Sequence, residues 1–588
     1  MSDKRRTGRR AGAIAAALHA ALFAVAFPPI GLWPAALVAL APLAWLALRT
    51  DRPRRAAGVV WLVSAAMWLL MERWLIGVSA VGWPLLAAYL ALFPAAFVWL
   101  GAHLGRLRPG SHWRVAGALA ALWVGLEYLR GAVVLTGYPW FLIAHPLIDT
   151  PVAQLAEWVG VYGVSFLVAL PQLILIVALI RRRRTGALLV STASAVAVVA
   201  LAAAGGLILG AVAQVRQSAD EEHDKDITAI RVAVVQTNVP QSNKVAWSIE
   251  DRRRDFAQMR EMTLDAAQTR AGEPSPETPD LIVWPETMFP GETLSPAAVA
   301  EIARVGLVYE DGTPATFFYD ALLELQRAVG VPLLVGSIGY DGLRIGTDDN
   351  GLVFEHDGKF NSAFLLDAGA VRGERYDKMH LTPFGEVMPG ISWSDRLEGW
   401  LLSLGAAGMR FDLDAGRSAT VFEVPLRDVE MERPGAARVV TPICFESATP
   451  GVCRRLVFGG GQRRADLMVN LTNDGWFGSA PGKRAQALQV ARWRCVELRT
   501  PMVRAANTGI SAAIDPSGRV QARGPENRSE DERVAGVMRA SVNLPVGGPT
   551  VYARIGDAAG WLSLLGASLV SGWAVWRGRS GRRPGAES

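Results

Sequence analysis

The sequence predicts a multi-span α-helical membrane protein in which an α/β domain is inserted between membrane helices. Apolar runs make up nearly all of the chain before about residue 215, ordinary globular sequence extends from Arg216 to about Val551, and a last apolar run lies at 561–576. Of the 588 residues, 51% are apolar and 19% are charged, and the apolar excess is concentrated in those runs. A chain of this length is also too long for one compact domain.

Eight apolar runs are predicted to span the membrane, because a helix needs roughly 20 mostly apolar residues to cross the hydrocarbon. The first two runs are separated only by residues 28–31, so we expect them to form a tight helical hairpin. An alternative for the first run is a cleavable signal peptide, since basic residues precede it and Ala24-Val25-Ala26 suits cleavage. The predicted spans lie near 11–28, 32–49, 56–75, 83–104, 114–134, 157–180, 186–212 and 557–576.

The basic residues predict the orientation of these spans. They cluster in the N-terminal segment, the second and fourth loops, residues 181–184 and the C-terminal tail, and the alternate short loops hold almost none except Arg73. Because cytoplasmic loops carry the excess of Lys and Arg, both termini are predicted to be cytoplasmic. The predicted domains are 1–212 with seven spans, 213–556 as an extracytoplasmic soluble domain, and 557–588 with the eighth span and a basic tail. The same clustering argues against a nucleic-acid-binding face as the source of the net charge of +6.

The inserted domain alternates strand-like and helix-like segments, the pattern of an α/β sandwich. Helices are predicted at 248–269 and 483–498, and residues 512–520 are predicted to form a hairpin with its turn at Pro516-Ser517-Gly518. The sequence contains no nucleotide-binding fingerprint, zinc-ligand spacing or internal repeat, so we expect neither a metal nor a soluble cofactor. The predicted strands are 229–235, 280–283, 332–336, 362–367, 437–443, 466–470, 502–505 and 536–542.

Three reactive side chains stand where predicted strands end, each in or just after an apolar β-branched stretch: Glu286, Lys378 and Cys444. Alone, each has an ordinary structural interpretation, as a turn cap, a solvated surface residue and a small buried hydrophobe. Together, a carboxylate, an amine and a thiol are what acyl transfer through a thioester needs. The carboxylate would be the base, the amine would stabilise the oxyanion and the thiolate, and the thiol, with a lowered pKa, would be the nucleophile.

The three cysteines of the chain do not make a disulfide framework, because at least one must be unpaired. An unpaired cysteine is more consistent with a catalytic thiol than with a fold stabilised by disulfide bonds. In an extracytoplasmic domain Cys453 and Cys495 can form a bridge, and the sequence leaves that question open.

Longer motifs around these residues resemble the nitrilase superfamily. They are Trp284-Pro285-Glu286, Lys378 followed by Pro383-Phe384-Gly385-Glu386, Cys444-Phe445-Glu446, and Asn473-Asp474-Gly475-Trp476-Phe477-Gly478. Further matches lie at 127–131, 135–140 and 235–242. With eight spans around the domain, the chain is similar over nearly its whole length to one branch of that superfamily, the bacterial apolipoprotein N-acyltransferases.

The resemblance implies a nitrilase-like αββα sandwich in a bacterial cytoplasmic (inner) membrane protein. It also implies a reaction that moves an acyl chain from a membrane phospholipid to the α-amino group of a diacylglyceryl-cysteine, the first residue of an apolipoprotein. By motif, Glu286 is the base, Lys378 the oxyanion and thiolate stabiliser, and Cys444 the carrier of the acyl thioester. The residues that the resemblance assigns to site support or substrate contact are Glu386, Glu446, Phe445, Trp247, Trp284, Asn473 and Trp476.

Three positions depart from the family pattern. Phe445 stands where the family often has Tyr, so any role for that hydroxyl is absent. Trp247 lies two residues further from the 240–242 run than the pattern predicts, and Gln486-Ala487 stands where a Gln-His pair is usual. Because the triad itself is complete, we expect an active enzyme.

Two segments outside the triad are candidates for lipid contact. Glu127 and Arg130 lie three residues apart in or near the fifth span, on one helical face. Ionisable residues at membrane depth are functional candidates, so recognition of a phospholipid headgroup stands beside a structural ion pair as an interpretation. Residues 391–402, which include Trp393 and Trp400, are predicted to form an amphipathic lid, with a core helix as the alternative.

Two other functions compete with acyl transfer to an amine. A membrane-anchored nitrilase-type amidase would share the acyl-thioenzyme step and use water as acceptor, but one span would suffice to anchor it. A transporter or scaffold carrying an inert domain is disfavoured by the intact Glu286, Lys378 and Cys444.

Overall fold

The computed structural model describes most of the chain. The described residues are 9–104, 112–180, 229–240, 247–267, 278–387, 413–427 and 435–580, apart from 350, 479, 527 and 546, together with a few helical positions between 197 and 211. Most of the predicted seventh span and all of the predicted lid at 391–402 therefore lie outside the described residues.

The helices begin and end at positions that proline, glycine and polar runs set. In chain order they are α1 (Arg9–Ala26), α2 (Ala41–Arg49), α3 (Pro53–Met71), α4 (Gly82–Leu104), α5 (His112–Tyr128), α6 (Ala156–Ile180), α7 (Ile249–Ala267), α8 (Pro296–Val305), α9 (Phe317–Val329), α10 (Pro450–Val457), α11 (Pro481–Leu498), α12 (Val551–Ile555) and α13 (Ala558–Ser580).

Four helical segments of the N-terminal region are long and apolar enough to cross a membrane: Pro53–Met71, Gly82–Leu104, His112–Thr136 and Pro151–Ile180. Three shorter apolar helices, Arg10–Ala26, Trp33–Arg49 and Ala558–Trp573, coincide with the first, second and eighth predicted spans. Among the described residues, four of the predicted spans thus have helices of spanning length.

The predicted second span is not one continuous helix. A 3₁₀ turn at Trp33–Leu37 precedes α2, and a proline lies in the first turn of each element. Proline lacks the N–H that would continue the hydrogen-bond ladder of a preceding helix, so a new helix begins at Ala41, with Pro42 in its first turn. The predicted packing of α1 against α2 is confirmed, since Phe23 of α1 and Leu43 of α2 belong to one buried core.

The inserted region contains two six-stranded sheets. The first has the order β16-β1-β2-β3-β6-β7 and the second the order β15-β14-β13-β12-β9-β8. The strands are β1 (Ala229–Gln236), β2 (Leu281–Val283), β3 (Leu333–Asp341), β4 (Arg344–Asp348), β5 (Gly351–Glu355), β6 (Gly358–Asp367), β7 (Ala370–Asp377), β8 (Phe422–Pro425), β9 (Ala436–Val440), β10 (Phe458–Gly459), β11 (Gln462–Arg463), β12 (Leu467–Thr472), β13 (Met502–Ala506), β14 (Ala512–Ile514), β15 (Val520–Arg523) and β16 (Gly536–Asn543).

All eight predicted strands and the 512–520 hairpin are present, with their ends shifted by a few residues. The strands that the sequence analysis missed are polar, short or at a sheet edge. β7 is the clearest case, because its residues are mostly half-buried or exposed and include Arg372, Glu374 and Arg375. A strand that buries one side chain in eight has no apolar alternation for a sequence pattern to detect.

The facing sides of the two sheets share one apolar core. Val232 and Leu281 of the first sheet pack in the same cluster as Val439 and Met468 of the second. The other face of the first sheet is covered by α7 and α9, which bury Phe256 and Phe318 against it. Burial of one such large side chain contributes about 1.5–3 kcal/mol, so these shared cores hold the two sheets and their helices together.

Helix α11 connects the second sheet to the membrane helices. Leu488, Ala491 and Cys495 lie in the core of the sheets, whereas Val490 and Trp493 lie in the core of the membrane helices. The two sets recur at helical spacing on two faces of one helix. The helix therefore has apolar contacts on both sides and places its N-terminus between the two parts of the chain.

All three cysteines are free in this structure. Cys453 is buried, and its thiol donates to the Glu446 carbonyl at 3.3 Å. Cys495 is buried on α11. The Cys453 and Cys495 thiols are not joined in this structure.

Candidate active site

The three predicted reactive residues follow strands that end on the same side of the inserted domain. Glu286 comes after β2 of the first sheet, and Cys444 comes after β9 of the second. Lys378 comes directly after β7, but the prediction of an apolar strand before it is wrong, because β7 is a largely polar edge strand. The apolar character belongs instead to its antiparallel neighbour β6, whose residues Ala363–Leu366 are buried.

Lys378 lies between two carboxylates. Its Nζ is 2.6 Å from Glu386 Oε2 and 3.7 Å from Glu286 Oε1, and the lysine side chain is 0% exposed. The Asn361 side-chain amide donates to both carboxylates, at 2.8 Å to Glu286 Oε1 and 2.9 Å to Glu386 Oε1. One cation and one amide therefore hold two acidic groups in a buried cluster, which we call the carboxylate–lysine cluster.

Asn361 contacts both carboxylates of the cluster, and none of the sequence motifs singles it out. It lies on β6 at a buried position, 75 residues from Glu286 and 25 from Glu386 along the chain. The signal for Asn361 in the sequence is its position just before the apolar run of β6. A polar side chain buried there needs hydrogen-bond partners.

The charges within the cluster determine the protonation of Lys378 and Glu386. Burial disfavours the charged amine, but Glu386, Cys444 and Glu286 outweigh it and raise the pKa of Lys378 above its ordinary value. Burial likewise disfavours ionised Glu386, yet the ion pair and hydrogen bond with Lys378 leave the pKa of that carboxyl lowered. The cluster therefore keeps a protonated lysine beside an ionised Glu386 at neutral pH.

Cys444 occupies a strained backbone position. Its φ of 51° lies in the left-handed region, which a residue with a Cβ adopts at an energetic cost. The neighbouring Ile443 pairs with Leu471 of β12, and the Cys444 carbonyl accepts from Ser447 Oγ at 2.9 Å. These contacts hold the sharp change of direction from β9 into the 3₁₀ turn Cys444–Ala448, and the cysteine itself is half-buried.

The prediction of a lowered thiol pKa is wrong. Burial and the negative charge of Glu286 together raise the pKa of Cys444 to about 12, although Lys378 acts in the opposite direction. Because the thiol is then neutral at physiological pH, it cannot attack as a preformed thiolate. A nucleophilic role for Cys444 therefore requires a base that takes its proton, and Glu286 is the carboxylate whose charge acts most strongly on the thiol.

The raised pKa of Cys444 predicts at which pH its thiol loses its proton. A raised pKa favours the protonated thiol, so the thiolate population is negligible at neutral pH and increases only as the pH approaches about 12. We expect the ultraviolet absorbance difference between wild type and Cys444→Ala to show no thiolate signal near the ordinary cysteine pKa of about 8.5. A titration step there, in protein that stays folded, would contradict the prediction.

Glu446 ties the Cys444 turn to the Lys378 segment. Its carboxylate accepts from the Ile443 N–H at 2.7 Å on one side and from the Met379 and His380 N–H groups at 2.8 and 2.9 Å on the other. The Tyr376 hydroxyl lies within hydrogen-bonding distance of both oxygens. Burial raises the pKa of this carboxyl to about 7, although the hydrogen-bond donors favour its charged form and act in the opposite direction. Both oxygens of Glu446 are thus held by backbone N–H groups, and a supporting role for this residue stays a prediction.

The second oxygen of Glu286 is held by the Asn473 motif. The Asn473 backbone N–H donates to Glu286 Oε2 at 2.9 Å, and its side-chain oxygen accepts from Gly475 N and Asn507 Nδ2, both at 3.0 Å. Strand β3 also lies close to Glu286, since a Cβ added at Gly336 of that strand would be 2.8 Å from Glu286 Cα. Glu286 is thus oriented by Asn361 on one oxygen and Asn473 on the other.

The remaining motif residues lie around this cluster or away from it. Phe445 stacks on His380 with ring centroids 5.9 Å apart, and it packs against the core of the membrane helices. Trp476 is half-buried in the turn Asp474–Phe477. The indole N–H groups of Trp284 and Trp247 donate to Thr263 and Asp255 on α7, each at 2.9 Å, so both tryptophans belong to the helix side of the first sheet.

Glu127 and Arg130 are both buried at the end of α5. Arg130 donates to the carbonyls of Trp140 and Phe141 at 2.8 and 3.1 Å, and Glu127 Oε1 accepts from the Ile143 N–H at 2.7 Å. The structure therefore places them as supports of the loop that follows α5, and they also line a small cavity among the membrane helices. Headgroup recognition by this pair stays a prediction.

Comparison with known proteins covers both parts of the chain. Residues 19–174 match the family described as the apolipoprotein N-acyltransferase N-terminal domain, and residues 231–549 match the carbon-nitrogen hydrolase family. An apolipoprotein N-acyltransferase of Bordetella bronchiseptica is 34% identical over 95% of this chain and 94% of that protein. One of Geobacter metallireducens is 30% identical over 94% and 93%.

Among solved structures, an amidase from Nesterenkonia sp. is similar to this chain at 13% identity with a TM-score of 0.32. The match covers 56% of this chain and 94% of the amidase. At that TM-score the likeness carries no functional argument.

Proposed function

The chain belongs to the apolipoprotein N-acyltransferase family, and from that membership we propose its reaction. It transfers a fatty acyl chain from a membrane phospholipid, through a thioester on Cys444, to the α-amino group of the N-terminal diacylglyceryl-cysteine of an apolipoprotein. The products are a triacylated lipoprotein and a lysophospholipid. The observation that carries this proposal is the carboxylate–lysine cluster, whose charges act directly on the Cys444 thiol.

In the first half-reaction, the Cys444 sulfur bonds to the ester carbonyl carbon of the phospholipid as its proton moves to Glu286. The carbonyl oxygen becomes an oxyanion, which the protonated Lys378 stabilises by charge and by its N–H donors. Collapse of this intermediate breaks the bond to the glycerol oxygen. That oxygen takes the proton back from Glu286, and the lysophospholipid leaves.

In the second half-reaction, the lipoprotein amine attacks the thioester carbonyl while Glu286 accepts a proton from its nitrogen. Lys378 again stabilises the oxyanion, the carbon–sulfur bond breaks, and the sulfur regains the proton as a thiol. Glu386 and Asn361 support both steps, because they hold Lys378 and Glu286 within the same buried cluster. Water competes with the amine, so a site adjoining the bilayer favours transfer over hydrolysis.

We further propose the membrane arrangement that the loop charges predict. The protein lies in the bacterial inner membrane with eight spans, both termini cytoplasmic, and an αββα catalytic domain at 213–556 on the extracytoplasmic side. The positive-inside pattern of the loops supports the orientation. The apolar helices of the N-terminal region and the two sheets with a shared core support the two-part organisation.

Mass spectrometry after incubation with phospholipid tests the proposed reaction. We expect one fatty acyl group on the Cys444 peptide of the wild type, no adduct on Cys444→Ala, and discharge of the adduct by a diacylated lipopeptide to give a triacylated product. Hydrolysis of a small amide without any acyl adduct would favour the amidase alternative and overturn the proposal.

A further inference from the structure

A buried ion pair joins the catalytic domain to the membrane helices. Lys483 Nζ of α11 lies 2.9 Å from Glu72 Oε2, directly after α3, and the two side chains are 6% and 0% exposed. Glu72 also accepts from the Tyr138 hydroxyl at 3.0 Å and from the Trp74 indole at 2.6 Å. Glu72 and Lys483 belong to neither the triad nor the motifs around it.

The surroundings hold this pair closely. Lys483 Nζ lies 4.2 Å from the ring centroid of Phe141 and 5.5 Å from that of Trp140, so the cation is covered by aromatic faces. The preceding residue is Gly482, where a Cβ would be 2.6 Å from Pro29 Cδ. Only a residue without a side chain lets α11 begin this close to the Pro28-Pro29 turn of the membrane segment.

The pair is connected to the active site through Phe477. The Phe477 ring packs on Trp74 and Trp140, with ring centroids 5.0 and 5.9 Å away. Both tryptophans contact the ion pair, Trp74 through Glu72 and Trp140 through Lys483. Phe477 ends the turn that begins after Asn473, whose N–H orients the base Glu286.

Stability alone does not explain a buried pair of this kind. Removing two charges from water costs about as much as their attraction returns, and an apolar replacement is often neutral. Burial in fact lowers the pKa of Lys483 despite the opposing effect of Glu72. What two charges with aromatic neighbours provide instead is one specific geometry for the elements that carry them.

We propose that the Glu72–Lys483 pair positions the 473–478 segment, and through it Glu286, against the membrane helices. The inference rests on the proposed function and adds two positioning residues to it. Lys483 and Glu72 act through Trp74, Trp140 and Phe477 and do not touch the reacting atoms. Because Glu286 accepts the thiol proton, its displacement slows acylation of Cys444 more than it weakens phospholipid binding.

The test measures single-turnover acylation of Cys444 in the full-length protein, with mixed micelles of phosphatidylethanolamine and phosphatidylglycerol that carry fluorescent acyl chains. We expect Lys483→Met to lower the maximal rate about 30- to 100-fold, as misplacements near 1 Å do, and to change the half-saturating donor concentration less than about threefold. Lys483→Arg keeps the cation and should retain most of the rate.

The matched control is Glu157→Gln. It removes the ion pair between Glu157 of α6 and Arg499, which lies at the opposite end of α11 and also joins the two parts of the chain. We expect rates within about threefold of wild type, because this pair lies at the end of α11 away from the 473–478 segment. An equal loss in both variants would show that the pair only docks the domain, and an unchanged rate in Lys483→Met would also overturn the inference.

Two further outcomes separate folding and function. If Lys483→Met does not fold, Glu72→Gln/Lys483→Met leaves no unpaired buried charge and should fold yet still acylate slowly; a wild-type rate in that double variant would overturn the inference. If the wild type itself forms no acyl adduct on Cys444, the proposed reaction fails. If it forms the adduct and the Lys483 variants match it, only the positioning role fails.

Discussion

Replacement of Glu286 by Gln is expected to slow Cys444 acylation by about 10³-fold, within the range of about 10²–10⁴ that a positioned base contributes. The amide can keep a hydrogen bond to Asn473 but cannot accept a proton. The neutral thiol, whose pKa is raised to about 12 in the wild type, then has no acceptor for its proton. Residual attack has to come from the rare thiolate.

The pH dependence identifies the cause of this loss. At pH values below the pKa of the Cys444 thiol, the thiolate population rises tenfold for each pH unit. The residual acylation rate of Glu286→Gln should therefore rise about tenfold per pH unit. The wild type has Glu286 as its base, so its acylation rate should depend less steeply on pH. Single-turnover acylation at several pH values measures both slopes, with Cys444→Ala as the blank. A variant within tenfold of wild type at neutral pH would contradict the role of Glu286 as base.

Replacement of Lys378 by Met is expected to cost activity and stability together. Loss of an oxyanion donor lowers the rate by about 10²–10³-fold. Removing one partner of a buried ion pair costs about 3–5 kcal/mol, because Glu386 and Glu286 then lie buried without the cation that neutralises them. The pKa of Glu386, which Lys378 lowers in the wild type, should rise when that charge is absent.

A double variant separates the two effects. Lys378→Met/Glu386→Gln removes the cation together with the carboxylate that it pairs with at 2.6 Å. We expect the thermal midpoint in detergent to recover most of the loss while acylation stays slow, because no donor for the oxyanion has returned. If the double variant recovers activity together with stability, Lys378 supports the fold and does not act on the transition state.

Candidates for the reactive residues could be named from the sequence because motifs are local. Glu286 and Cys444 follow apolar strands, and each stands in a run of residues that resembles a known family. The motif around Lys378 singles out this residue although its own strand is polar, so only the interpretation of the strand is wrong, and the role of the lysine stays a prediction. Hydropathy likewise located the membrane helices but did not predict the break before α2, where proline interrupts an apolar run.

The sequence by itself determined eight of the strands and the apolar helices, and it singled out Glu286, Lys378 and Cys444 as candidates, because apolar periodicity and motifs are properties of neighbouring residues. Only the tertiary structure decided that Asn361 joins Glu286 to Glu386, that Lys483 meets Glu72, and that burial and Glu286 raise the pKa of the Cys444 thiol. A pKa and a buried ion pair depend on charges and burial contributed by segments far apart in the chain. Their effects act through space, so no local pattern records them.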